Sequence, residues 1–313
     1  MLQDRRWPYD KKGIKEQGMG KTCLLFPGFG SQYPGMAKAI IEKNYEKSRK
    51  LIDGASDYLR TDVFDMICNP ENDSMLDSSE LTAISLFVTS ALYFELLLER
   101  GITYDLLAGH SFGEYSLLYA ANMLGLEDGL ELVRHWAEFT QSSSDEVCSV
   151  IAVNGLSAVK VEELMKGYND IWISEINSNY QVVVAGLEGQ IGKLSKDLQN
   201  AGAMGVVKLN MKVAYHTPYM QKAREKLGVL MSKMKFKEPN CYVITSKHGE
   251  PTKSIEPIIE SLLYQTDNRI SLVDIVRSLV ELGVSKAYEV GPGRSLKGLT
   301  QTITSKIKFQ AIV

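Results

Sequence analysis

The sequence predicts an α/β fold built on a parallel sheet, with a small α+β module inserted into it. Three observations carry that reading. Apolar strand-like runs alternate with helix-patterned stretches over residues 21–141 and again after residue 213, the order that gives parallel strands joined by crossover helices. Between residues 149 and 209 the order changes to β-α-β-β-α-β, that of a ferredoxin-like split module. The run Leu106-Leu-Ala-Gly109 ends in Gly109-His-Ser-Phe-Gly113 ahead of a helical stretch, a G-x-S-x-G pattern at a strand-to-helix corner.

Taken in order, residues 1–20 are polar, with Arg5, Arg6, Lys11, Lys12 and Lys15 and no apolar core segment. They are expected to form an extension and not a secretory signal. Residues 21–27 read as a strand running into Gly28-Phe-Gly-Ser-Gln-Tyr-Pro-Gly35, with a helix from about Met36. No Lys-Ser/Thr follows Gly30, which excludes a P-loop, and Pro34-Gly35 fall out of register for G-x-G-x-x-G. What remains is a loop whose backbone N–H groups can face a ligand oxygen, with Gln32 as its polar side chain. Helices are expected near 44–60 and 80–100. The run 81–98 is apolar enough to suggest a membrane span, but Thr82, Ser85, Thr89, Ser90, Tyr93 and Glu95 point to a buried amphipathic helix. Helices over 116–123 and Leu126–Gln141 follow the serine corner.

The polar stretch Ser142-Ser-Ser-Asp-Glu146 opens the small module. Its strands are expected at 149–153, 171–176, 181–185 and 205–209, and its helices at 159–166 and 188–201. Beyond it, Ala214-Tyr-His-Thr-Pro-Tyr-Met220 leads into a helix ending near Lys235. Strands at 241–245 and 286–290 alternate with helices at 255–264 and 270–282, and Gly291-Pro-Gly293 precedes a last helix. The expected organisation is an extension at 1–20, a large domain from 21–143 and 211–313, and a small domain at 144–210.

Composition narrows the class. The chain has 313 residues, 44% hydrophobic and 23% charged, with a net charge of −3. These values suit a globular enzyme and give no sign of nucleic-acid or bulk membrane binding. Cys23, Cys68, Cys148 and Cys241 are scattered, with no C-x-x-C pair. That predicts reduced thiols, a cytoplasmic setting and no metal site.

Ser111 at the corner is a candidate nucleophile, and the N–H of Phe112 is placed to help hold an oxyanion. A serine needs a base within hydrogen-bond reach, and the chain offers four histidines. His110 adjoins Ser111 on a sharp turn and is expected to brace it. His135 lies within a helix, and His248 sits in the polar turn Lys247-His-Gly-Glu-Pro251. His216 stands at a strand-to-helix junction before Pro218, from which a side chain can face a cleft, and is the candidate base. No Asp or Glu is singled out to orient it. A backbone carbonyl or an amide could do so, which suffices for thioesters, whose leaving thiolate needs little acid assistance.

The segments Gly28-Phe-Gly-Ser-Gln32, Gly109-His-Ser-Phe-Gly-Glu-Tyr115, Asn177 with Gln181-Val-Val-Val-Ala-Gly186, Tyr215-His216 and Glu289-Val-Gly-Pro-Gly293 occur in that order. Together they resemble the malonyl-CoA:acyl-carrier-protein transacylase family and the acyltransferase domains of polyketide synthases. The resemblance runs from about Lys21 to the C-terminus. It implies an α/β-hydrolase-like large domain with a ferredoxin-like insert, and an acylated serine at Ser111 with His216 as general base. It further implies oxyanion-hole N–H groups from Gln32 and Phe112, and active-site roles for Asn177 and His110. Gln265, within Tyr264-Gln-Thr-Asp-Asn268, falls where the family uses a main-chain carbonyl to orient the histidine. No cofactor is implied, since the substrate carries the phosphopantetheine. The expected partner is an acidic acyl carrier protein, or an acyl-CoA thioester, met by a monomer through Lys208, Lys212 or Arg294.

One departure bears on substrate. Malonyl-accepting members carry an arginine in a context that here reads Leu132-Val-Arg-His-Trp-Ala-Glu-Phe-Thr-Gln141, with Trp136 at the arginine position. A guanidinium holds the malonyl carboxylate by paired charge-assisted hydrogen bonds. A buried carboxylate without its partner is disfavoured by about 3–5 kcal/mol, roughly two to three orders of magnitude or more in affinity. Arg134 lies two residues away, about 200° around a helix, on another face. The same-face neighbours Leu132, Val133, Phe139 and Thr140 carry no charge. Tyr215, where malonyl-type members often have serine, reshapes the wall. The expected activity is therefore that of discrete members lacking the arginine: an acyl-Ser111 enzyme that hydrolyses non-malonyl acyl groups from carrier proteins of polyketide synthases. The alternatives are a transacylase loading a non-malonyl, or less plausibly a malonyl, unit, and a catalytically silent carrier-docking module.

Overall fold

The computed structural model describes residues 20–43, 45–72 and 78–312. The expected extension lies outside these residues, apart from Gly20. Strand β1 (Lys21–Phe26) has Cys23 to Phe26 fully buried on both faces, as a central parallel strand requires. Helices α1 (Lys38–Lys43), α2 (Tyr45–Leu59) and α3 (Val63–Cys68) follow. The sequence reading has no counterpart to α3, although Asp62 caps it by accepting the N–H of Asp65 at 2.9 Å.

Helix α4 (Ser79–Glu99) corrects an expectation. It is buried on all sides instead of amphipathic, with Thr82, Ser85, Thr89 and Ser90 enclosed alongside its leucines and aromatics. An all-round apolar helix in a globular chain is a central core helix, and α4 is packed inside the protein along most of its length. Strand β2 (Leu106–Gly109) then leads to α5 (Gly113–Ala120) and α6 (Leu126–Gln141). Helix α5 starts three residues earlier than expected because the corner itself feeds directly into it.

The inserted segment supplies β3 (Cys148–Asn154), α7 (Ala158–Met165), β4 (Ile171–Ser178), β5 (Gln181–Leu187), α8 (Glu188–Asn200) and β6 (Gly205–Lys208). After a single 3-10 turn at Pro218–Met220 come α9 (Gln221–Met231), β7 (Tyr242–Ile244), β8 (Pro251–Thr252) and α10 (Ile255–Asp267). Strand β9 (Ile270–Ser271), α11 (Leu272–Glu281), β10 (Val284–Glu289), α12 (Ser295–Ile303) and β11 (Lys308–Ala311) complete the chain.

Two sheets result. The larger has the order β11-β10-β1-β2-β7-β8, parallel except for the edge strand β8. Phe26 is in register with Gly109, so the loops leaving β1 and β2 emerge side by side at the carboxyl edge, where open α/β sheets place ligands. The smaller sheet has the order β6-β3-β5-β4-β9. Its fifth strand comes from residues expected to be helical: Ile270 and Ser271 pair in parallel with Glu175 and Ile176, and Ser271 caps α11 by accepting from Asp274 N–H at 3.1 Å. The chain that leaves α10 is thereby stitched to β4.

Candidate active site

Ser111 sits at the apex of the turn between β2 and α5 with φ +55°. A non-glycine residue in this left-handed region is strained by about 1–3 kcal/mol and persists only where packing fixes it. The packing is visible on both sides. A Cβ on Gly113 would lie 2.0 Å from the Phe26 carbonyl oxygen, and one on Gly28 would lie 2.8 Å from that of His110. Only glycine lets the first loop close over the corner.

The turn aims Ser111 Oγ at His216 Nε2, 2.7 Å away. His216 is also left-handed, φ +60°, and is tied twice to the end of α10. Its Nδ1–H donates to the Gln265 carbonyl at 2.5 Å, and its backbone N–H donates to the Thr266 carbonyl at 3.2 Å. Last-turn carbonyls have no intrahelical donor and sit at the negative end of the helix dipole, so a helix terminus stands where a triad has a carboxylate. With Nδ1 protonated, Nε2 is free to accept the Ser111 proton. Burial lowers the His216 pKa to about 4 against the opposing effect of the Gln265 carbonyl, leaving the imidazole neutral at pH 7 with Nε2 free to accept a proton.

Glu114 had no assigned role in the sequence, although it closes the serine motif. It is buried and accepts from Ser246 N–H at 2.6 Å, Ser261 Oγ–H at 3.1 Å and the Gln265 amide at 3.2 Å. Burial raises its pKa to about 7, opposed by its bonds from Ser246 and Ser261. The first turn of α5 thus holds the residue whose carbonyl holds His216.

The N–H groups of Gln32 and Phe112 donate to no protein acceptor among the described residues, and a Cβ on Gly28 would lie 3.2 Å from the Phe112 nitrogen, so the first loop closes against the start of α5. The Gln32 side chain folds back onto its own loop, accepting from Gly30 N–H at 2.7 Å, instead of facing a ligand. Ser31 Oγ–H donates to the Gly28 carbonyl at 2.7 Å, which braces the loop. The second glycine-rich loop offers no anion site, because Glu289 accepts from the first free N–H groups of α12, Leu296 at 3.0 Å and Lys297 at 2.9 Å.

Beyond His216 the wall is aromatic. Trp136 is buried and stacks on Tyr215, centroids 5.3 Å apart at 11°. Phe112 at 5.1 Å, Phe29 at 5.3 Å and Tyr115 at 5.7 Å complete the cluster. The space left between Phe112, Tyr115, Trp136, Tyr215, Thr140 and His216 is about 10 Å³, room for about one water at most. Its hydroxyls are satisfied internally: Thr140 donates to the Trp136 carbonyl at 2.8 Å and Tyr215 to Ser79 Oγ at 3.2 Å. Arg134 is exposed on another face, near Tyr58. A wider cleft of about 360 Å³ lies across Phe29 and Tyr215, reached by Gln32, Gln141 and Lys212.

His110 and Asn177 also meet at the corner, joined by Glu175 from β4. Glu175 Oε2 lies 3.9 Å from His110 Nε2, and nothing in the sequence marked it. Burial, then the nearby His216, lowers the His110 pKa to about 3. His135 and His248 stand apart on the surface, against Glu138 and Glu260. Of the cations expected to meet a carrier, Lys208 is bound by Glu188 at 2.7 Å, Arg294 is exposed ahead of α12, and Lys212 lines the wide cleft.

Comparison with known proteins matches residues 23–284 to the acyl transferase domain model. The chain is 30% identical to a polyketide-biosynthesis malonyl-CoA:acyl-carrier-protein transacylase of Bacillus subtilis, covering 89% of this chain and 96% of that one. A second malonyl-CoA:acyl-carrier-protein transacylase of Bacillus subtilis is 28% identical, with 94% of each chain covered. Among solved structures, a malonyl transacylase in complex with a type II polyketide synthase acyl-carrier protein superposes with a TM-score of 0.88 at 27% identity, covering 93% of this chain and 96% of that one. The Xanthomonas oryzae malonyl-CoA:acyl-carrier-protein transacylase gives 0.87 at 28% identity, with 94% of each chain covered.

Proposed function

The chain belongs to the acyl transferase domain family, and from that premise we propose that it takes uncharged acyl groups from carrier-protein thioesters onto Ser111 and releases them to water. Ser111 Oγ attacks the thioester carbonyl while its proton passes to His216 Nε2. The N–H groups of Gln32 and Phe112 hold the oxyanion, and His216 returns the proton to the departing thiolate. Water then repeats the sequence on the ester and frees the acid. The 2.7 Å Ser111–His216 contact supports this chemistry over a silent docking module, which has no need of an aligned nucleophile and base.

The observation that carries the specificity is the Trp136–Tyr215 stack. By the resemblance, Trp136 stands where malonyl-accepting members carry an arginine, and the narrow space beside it, about 10 Å³, supports a wall with no partner for a carboxylate. Small acyl groups, or chains that turn into the wide cleft, are the substrates this wall favours. The solved relative bound to an acyl-carrier protein supports a carrier partner here, and the polyketide-biosynthesis relative supports that pathway. The reading places the protein in the cytoplasm as a proofreading enzyme, with its cysteines as thiols. A second reading, transfer to another carrier thiol, is favoured by the relatives' names as transacylases.

Incubation with acetyl-carrier protein, followed for free acetate, tests the choice. Acetate release that is lost in Ser111→Ala is expected. Acetyl movement to a second carrier with no acid released would establish the transacylase instead.

A further inference from the structure

Three polar groups beside Ser111 take no part in the acylation step. His110 is 6% exposed and Asn177 7%. His110 Nε2 and Asn177 Oδ1 have no partner of good hydrogen-bond geometry among the described residues, although the Asn177 side chain lies close enough to His110 and Glu175 to act on both. Buried polar atoms of this kind are ordinarily satisfied, by protein or by water. Glu175 faces them from β4. Its 3.9 Å separation from His110 Nε2 is too long for a hydrogen bond, but a single water can bond both groups. The pairing of β4 with β5 slips between Ile173 and Glu175 and again between Ile176 and Ser178. Such bulges re-aim side chains beside active sites.

The chemistry of the three groups selects the occupant. An ionised Glu175 and the Asn177 oxygen only accept, and His110 Nε2 accepts or donates according to its tautomer. A molecule with two O–H donors and lone pairs of its own matches these groups, and His110, which it would bond, directly precedes Ser111 in the chain. We propose that His110, Glu175 and Asn177 hold the water that resolves acyl-Ser111, with Glu175 as the positioning residue that orients it. This rests on the hydrolase reading and extends it.

In that half-reaction the water oxygen attacks the ester carbonyl and gives one proton to His216 Nε2. The C–O bond to Ser111 breaks as His216 passes that proton to Ser111 Oγ, and the carboxylic acid leaves. Glu175 accepts the water's second O–H and undergoes no net protonation. Burial raises the Glu175 pKa to about 7, with Asn177 opposing, so its accepting form fills as pH rises through neutrality. His110 is the titratable group within reach of it. On the elements packed against β4, Arg269 is held by Glu162, Lys160 by Glu163 and Arg277 by Asp274. Glu281 and Arg294 are exposed, and Lys297 lies beside Glu289.

The test is Glu175→Gln in single turnovers with acetyl-pantetheine, with thiol release timing acylation and intact mass timing loss of acetyl-Ser111. Acylation should stay within about threefold of wild type. Deacylation should fall about tenfold or more and lose the rise through pH 7 that wild type shows. Unchanged deacylation with the same rise, or equal loss of both half-reactions, overturns the water site. A wild-type acetyl-Ser111 that yields no acid at any pH overturns the hydrolase reading as well, whereas acid from wild type with an unaltered variant overturns the water site alone. If Glu175→Gln does not fold, Glu175→Asp, which keeps a carboxylate but withdraws it, is read on rate alone: deacylation about tenfold slower with acylation kept supports the water site, and unchanged deacylation overturns it.

Discussion

Trp136 and Tyr215 stack beside His216; under the proposed function they close the acyl end of the site, and a single side chain should reopen it. Trp136→Arg sets a guanidinium where the stack stood and should raise the ratio of malonyl to acetyl acylation by about tenfold or more, read by intact mass. Loss of a buried tryptophan costs about 3–5 kcal/mol, so retained fold is checked by circular dichroism in the same samples. His216 carries the second prediction at this scale. It must be neutral to accept the Ser111 proton, and its pKa is lowered to about 4. Single-turnover acylation should therefore be flat from about pH 5.5 upward and fall as pH drops through about 4, with no inflection at an ordinary histidine value. At the residue scale the sequence was informative where few candidates existed. Four histidines and one G-x-S-x-G corner leave little choice over which pair can meet. Glu114 and Glu175 were not legible, because what ties each to the serine corner is a residue more than 60 positions away, Ser261 for Glu114 and His110 for Glu175, that only the fold brings near.

Helix α10 is the element on which the base depends, since its last turn supplies both carbonyls that hold His216. Glu114 fixes that turn through the Gln265 amide and fixes the β7 exit through Ser246. Glu114→Ala leaves those buried donors without an acceptor, at about 1–3 kcal/mol, and frees Gln265. Acylation kcat should fall about tenfold or more, with KM for the thioester nearly unchanged, because no substrate contact is removed. A matching rise in KM would contradict this positioning role. Helix α4 shows where periodicity misleads at this scale. Its serines and threonines suggested a polar face, but in a core helix small hydroxyls are enclosed along with everything else. Strand β9 was hidden for a different reason: two residues carry no period, and only pairing with β4 defines it.

Across the whole molecule, buried ionisable groups among the described residues set how stability follows pH, His110, His216, Glu114 and Glu175 foremost, with Glu289 raised by burial in the same sense as the other two carboxylates. His110 and His216, lowered to about 3 and about 4, bind more protons when unfolded at pH values below about 6.5. Their share of stability is therefore lost as pH falls through that range. Glu114 and Glu175, both raised to about 7, bind more protons when folded between about 4.5 and 7, so their share is lost as pH rises through that interval and is gone above about 7. The urea midpoint should be highest between about pH 4.5 and 6.5 and lower at both pH 3.5 and pH 8. A midpoint still climbing at pH 8 would contradict these burials. The order of strands and helices made the α/β class and the inserted β-α-β-β-α-β module legible. The joining of the two sheets through β4 and β9 was not, because it links segments about 100 residues apart.

The most direct measurement offers the protein equal malonyl- and acetyl-carrier protein and weighs the intact chain over time. An acetyl adduct on Ser111 that forms and then disappears with release of acetate, and no malonyl adduct, is the predicted result. A malonyl adduct forming at least as fast as the acetyl one would contradict the account.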